Sequence, residues 1–232
     1  VRILIDGRPN KFLKRGRPSS AFAPKSARIA RHLLLDPTRV WRQRDLAKET
    51  GLDDGFTSRI VHRLDVLGLT RRTQDGSVAV VEPARLLDAW SEAYDFEKHT
   101  IIRGHVTSRD GEELATKLGR SLAQARIRHA ATGLAAAWLH AEFAAFRLVT
   151  FFVEERPDDK FLQKFGFREE SKGANVWLVV PNDEGVFDGA GLKNYIECVH
   201  PVQAYVDLLG QPERSKEAAT ELRSRRLTWR RP

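Results

Sequence analysis

Methionine is absent from these 232 residues, and cysteine occurs once, at Cys198. A single thiol cannot build an internal disulfide framework, and a reducing cytoplasm suits such a chain. Without a methionine, Val1 is expected not to be a translation start, so that upstream residues were removed or lie outside the chain given. Long apolar runs are also missing. The longest candidate, Ala130 to Leu139, falls well short of the ~20 residues needed to cross a bilayer, so a membrane-spanning helix and a membrane partner are not expected.

What is present favours a folded protein. Apolar residues make up 41% of the chain and aromatics 9%, enough to bury cores rather than stay disordered. The net charge is +8 and it is unevenly spread. Up to Arg44 there are twelve Lys/Arg against Asp6 and Asp36, and from Arg214 to Arg231 seven Lys/Arg against Glu217 and Glu221, around a mildly acidic middle. Clustered cations at both ends suit a polyanion, because they release phosphate-bound counterions; the alternative is a basic tail that only confers solubility.

Val1 to Asp6 alternates like a strand without a neighbouring partner, as the end of a missing N-terminal domain would. Gly7 to Ser20, rich in Gly, Pro and basic residues, is a linker or an arm for a DNA minor groove. Pro24 to Leu35 then has helix logic: Ile29, Leu33 and Leu34 share one face, with Arg28, Arg31 and His32 largely opposite. Val40-Trp41 is extended, and Arg42 to Thr50 is a second helix ended by Gly51. An acid in Leu52-Asp53-Asp54 caps a third helix, Gly55 to Leu67. Leu69 to Val81 is a hairpin with Asp75-Gly76 at its tip.

This order predicts a winged helix-turn-helix that binds double-stranded DNA. On the third helix, Ile60, Val61, Leu64 and Leu67 form the expected buried stripe, and Ser58, Arg59 and His62 the opposite one, bordered by Thr57 and Arg63. Arginine can fork onto guanine, and hydroxyls and imidazole can meet base edges or phosphates. Arg42, Arg44, Arg71, Arg72 and Gln74 are the expected contacts to the adjacent backbone. A winged helix used only for protein contacts is the competing reading.

After a helix from Pro83 to Tyr94, the pattern predicts an extended piece within Asp95 to Arg109 and a helix from Gly111 to His129. Further helices are expected at Thr132 to His140, Phe161 to Phe167, Pro201 to Leu209 and Pro212 to Leu227. Strands are expected at Arg147 to Glu155, Asn175 to Pro181 and Tyr195 to Val199. The expected fold is α+β, with residues 1–20 as domain end and linker, 21–95 as the winged helix and 96–232 as a mixed α/β domain.

Three segments carry a family likeness: HAATGLAAAWLH from His129, GANVWLVVPNDEGVF from Gly173 and CVHPVQAYVDLLGQPERSKEAATELR from Cys198. With the predicted winged helix in front, the chain resembles AbiEi-type antitoxins of type IV toxin–antitoxin (abortive infection) systems. The resemblance implies a repressor that binds inverted repeats in its own promoter. It also implies a C-terminal domain that counteracts a nucleotidyltransferase-like toxin without a stable complex.

The C-terminal order is loosely nucleotidyltransferase-like, but that chemistry needs carboxylates alternating along a strand to hold Mg²⁺. Here the strand from Arg147 to Val153 has none, and Glu154 and Glu155 at its end point to opposite faces. No enzymatic activity, cofactor or metal is therefore expected. His129, His140 and His200 lack ligand spacing. Cys198 and His200, two apart on one expected strand, would share a face, which is more often packing than a nucleophile and its base. Arg214, Lys216, Arg223, Arg225 and Arg226 on the closing helix form a candidate partner or DNA surface. A regulator with a ligand- or protein-sensing C-terminal domain and no toxin remains the alternative.

Overall fold

The computed structural model describes residues 20–142 and 145–229; the expected N-terminal strand, linker and missing domain lie outside them. The helix Pro24–Leu35 (α1) is followed by Gln43–Thr50 (α2) and Asp54–Val66 (α3). Two short antiparallel strands come next, Thr70–Arg72 (β1) and Val78–Val80 (β2), then a helix, Pro83–Ala93 (α4). Local chemistry sets the boundaries. Gly51 closes α2 at φ 64°, a left-handed conformation that costs glycine little. Asp53 caps α3, its carboxylate accepting the Phe56 amide at 2.7 Å. Trp41, between α1 and α2, exchanges backbone hydrogen bonds with Val78 and ties the connection to β2.

The remainder is built on a mixed seven-stranded sheet. In chain order its elements are Thr100–His105 (β3), Gly111–Gln124 (α5), His129–Thr132 (β4), Gly133–Ala141 (α6), Val149–Val153 (β5) and Asp159–Phe165 (α7). Then follow Arg168–Glu169 (β6), Val176–Val180 (β7), Gly191–Lys193 (β8), Ile196–Cys198 (β9), Pro201–Leu209 (α8) and Ser215–Arg226 (α9). The strand order is β6-β3-β7-β5-β4-β9-β8, with β5/β7 and β4/β9 parallel and the other pairs antiparallel. Every residue of β5 is buried. Phe151 lies toward Gly119 of α5, where an added Cβ would press on the Ile196 side chain of β9 at 3.1 Å. Phe152 points the other way, onto Phe96, His99 and Phe187.

Several expectations need correcting. The helix from Gly111 stops at Gln124, and Arg126 adopts φ 57°. His129–Thr132, read from the sequence as the end of one helix and the start of the next, is instead strand β4 in the middle of the sheet, paired with β5 and β9. Its His-Ala-Ala-Thr sequence has little intrinsic β signal, and pairing on both sides overrides it. The face opposite Ile29 on α1 is also not free: Arg31 and His32 are buried, because α8 and the turn Glu184–Phe187 pack there. Leu67, expected in the core, is 54% exposed because α3 has already ended.

The buried apolar side chains of both halves form one continuous cluster, and α1 and α4 both rest on α8. A polar network runs through this junction. Arg31 Nε and Nη2 donate to Gln203 Oε1 at 3.0 and 2.7 Å. Gln203 Nε2 donates to Asp207 at 2.8 Å, and Tyr94 Oη and Thr132 Oγ1 donate to the same carboxylate at 2.5 Å each. At the surface of the junction Arg28 pairs with Asp183 at 2.8 Å.

Candidate nucleic-acid interface

The expected DNA-contacting residues come from three neighbouring elements. On α3 the core stripe is Ile60, Val61 and Leu64, all fully buried. Arg59 and His62 are exposed, and Ser58 and Arg63 are half-buried. Thr57 is a correction: it is fully buried, so its hydroxyl cannot reach a groove. The shortfall has a simple origin, since a border position on a helix goes to whichever side the neighbouring elements cover.

Arg42 and Arg44 are exposed at the start of α2, and Arg71, Arg72 and Gln74 are exposed on the hairpin. The hairpin tip is internally braced. Asp75 accepts hydrogen bonds from the Thr73 and Ser77 hydroxyls, which hold its carboxyl down at about 2. Arg71 and Arg72 are adjacent in β1, opposite Ala79 and Val78, so they alternate across the hairpin.

Two cations were not singled out from the sequence. Lys25, at the start of α1, and Arg59 both stand over the Phe56 ring, at 5.7 and 5.8 Å. Arg39 stacks on Trp41 at 3.6 Å, just before Arg42. Phe56 and Trp41 were the available signals, as aromatic platforms that position cations.

The closing helix looks different from its sequence. Arg223 donates to Asp88 of α4 at 2.6 Å and to Tyr205 at 2.9 Å, bracing α9 against α4 and α8. Arg226 donates to the His140 carbonyl at the end of α6, at 2.6 Å. Arg214 and Arg225 pair with Glu217 and Glu221 on their own helix, and Lys216 is exposed. Arg223 and Arg226 are thus structural ties, which a charge count could not reveal because their partners are distant in sequence.

The remaining chemical candidates are brought apart or buried. His200 does not lie on a strand with Cys198; it caps α8 by accepting the Val202 amide, and burial pushes it down to about 4. The Cys198 sulfur instead sits 3.3 Å from His140 Nε2, and burial pushes the thiol up. That His140 nitrogen donates to the Val199 carbonyl at 2.8 Å, so it is not placed to take a thiol proton. Glu154 and Glu155 are exposed beyond β5, and Phe151 and Phe152 fill the core where paired carboxylates would be needed.

Residues 79–228 match the family model described as transcriptional regulator, AbiEi antitoxin, type IV TA system. The match opens within β2, so α1, α2, α3 and β1 precede it. No curated protein and no solved structure matches the chain. No helix among the described residues is long and apolar enough to cross a membrane. With the match covering well over half of its length, the chain belongs to the AbiEi family of antitoxins and transcriptional regulators of type IV toxin–antitoxin systems.

Proposed function

We propose that residues 21–95 act as a winged helix-turn-helix and that the protein is a cytoplasmic, non-catalytic autorepressor and antitoxin. The carrying observation is the division of α3. Its Ile60, Val61 and Leu64 face is fully buried, Arg59 and His62 are exposed, and a hairpin with exposed Arg71 and Arg72 follows at once. Helix α3 would enter the major groove, Arg59 reading a base edge and Ser58 and His62 meeting bases or phosphates. Arg42, Arg44, one of the hairpin arginines and Gln74 would hold the backbone on either side.

The DNA is proposed to be the protein's own promoter, with inverted repeats, as the family's regulatory role suggests. Action against a nucleotidyltransferase-like toxin, without a stable complex, rests on family membership alone. We read the sheet domain as non-catalytic because β5 presents Phe151 and Phe152 to the core and no carboxylate. A gel shift with the upstream DNA and an unrelated duplex tests the DNA reading; equal affinity for both would remove the operator. Incubation with labelled nucleotides and RNA tests the other part, since labelling that Glu154→Gln abolishes would make the domain a transferase.

A further inference from the structure

The two edges of the seven-stranded sheet are built differently. At one end, β6 shows exposed Arg168 and Glu169, and Glu169 pairs with Arg156 at 2.7 Å. Charges of this kind discourage another strand from adding. At the other end is β8, a three-residue strand, and no strand among the described residues pairs with its outer side. It carries Leu192, 70% exposed, and leads into Tyr195, 89% exposed. Tyr195 also has φ 64°, in the left-handed region that a bulky side chain rarely adopts. At that exposure the ring gains little from its own chain, so the strained turn serves to present it. A groove of about 380 Å³ lies beside it. Ala123, Ile127, Phe187 and Ala190 give the groove apolar walls, and Arg128 and Glu197 polar ones, a mixture that suits a phenol ring.

The hairpin register fixes how β8 can accept another strand. Lys193 and Ile196 close the two-residue turn Asn194-Tyr195, so the Leu192 amide and carbonyl point away from β9. A second β8 can meet these groups antiparallel, centred on any of the strand's three residues. Centred on Lys193, the pair sets two lysines face to face. Centred on Gly191, it needs the Ala190 amide, which already donates to the Phe187 carbonyl at 3.0 Å. Centred on Leu192, it lets the two Leu192 residues exchange both backbone hydrogen bonds and sets each Lys193 opposite the other copy's Gly191. A Cβ on Gly191 would meet nothing within 4 Å, so the lysine stem has room there. The same register brings each Tyr195 alongside the turn from Phe187 to Ala190 of the other copy, which walls the groove.

We propose that β8 pairs antiparallel with β8 of a second copy of this chain, about a two-fold axis at Leu192, each Tyr195 entering the other copy's groove. The two sheets then run on as one, and the interface closes on itself as a dimer. Two backbone hydrogen bonds and an exchanged pair of aromatic rings make a small interface, so the dimer is weak. This pairing is independent of DNA recognition by α3.

The test is sedimentation equilibrium of the full chain at concentrations reaching about 1 mM, beside thermal melts of dilute protein. We expect a reversible monomer–dimer equilibrium with Kd on the order of 10–100 µM. Tyr195→Asn, a residue that tolerates the left-handed turn, should weaken pairing at least about tenfold without lowering the melting temperature. Across the axis the two Leu192 Cα atoms should stand about 5.5 Å apart, within disulfide range. Leu192→Cys should therefore oxidise to a covalent dimer and Tyr195→Cys should not; Cys198 is buried and does not compete. A monomer at every concentration, a dimer that Tyr195→Asn leaves intact, or a covalent dimer from Tyr195→Cys but not from Leu192→Cys would overturn the proposal.

Discussion

Arg59 stands clear of the core on α3, beside the Phe56 ring. Replacing it by Ala should cost roughly 1–3 kcal/mol on the cognate site and relax preference at one base position. An equal loss on random DNA would make it a phosphate contact instead. Phe152 is fully buried among Phe96, His99 and Phe187, so Phe152→Ala should destabilise by roughly 3–5 kcal/mol in a urea melt. A smaller loss would mean that the site collapses around the gap. Asp207 gives a pH signature. Burial raises its carboxyl to about 6, well above the unfolded value of about 3.9, so the folded state binds the proton more tightly. Its contribution is complete below the unfolded value and is lost as pH rises towards 6. His99 and His200, pushed down to about 4 by burial, act oppositely, losing stability as pH falls from about 6.5. Comparing Asp207→Asn with the wild type cancels the histidines: the variant should gain roughly 3 kcal/mol relative to wild type between pH 4 and 7. A stability difference that does not change with pH would refute the assignment.

Among the elements, α2, α3 and the hairpin were legible because each carries its own signals: Gly51, Asp53 and Asp75-Gly76 mark boundaries that hold without tertiary help. The division of α3 was legible from spacing except at its edges, where Thr57 and Leu67 were decided by neighbours. β4 was not legible, since Ala130 and Ala131 become strand only through pairing with β5 and β9. The alternation of Arg71 and Arg72 predicts that only one of Arg71→Ala and Arg72→Ala flattens the salt dependence of DNA binding by about one unit. Equal flattening by both would contradict that geometry. On α9, deleting residues after Arg223 removes buried Leu227 and the Arg226 tie to α6. That truncation should lower the melting temperature, whereas Lys216→Ala should leave it unchanged; an unaltered melt of the truncated chain would restore the tail as a free surface.

Across the whole molecule, the decisive features were the least visible in the sequence. Arg31 looked like a solvated cation on a helix face, yet it is sealed between α1, α8 and Trp90. Its partners Gln203 and Asp207 lie on α8, so no local pattern could link them. One continuous core then joins the α3 platform to the seven-stranded sheet, and it presents the exposed cations of α2, α3 and the hairpin on a fixed support. The proposed function requires that surface to recognise DNA through α3. Its most direct test is a fluorescence-anisotropy titration of the full chain and Arg59→Ala on the upstream DNA and a scrambled duplex at one salt concentration. The predicted result is a wild-type preference of at least about a thousandfold, reduced by roughly 5- to 150-fold in the variant; equal wild-type affinity for the two duplexes would contradict it.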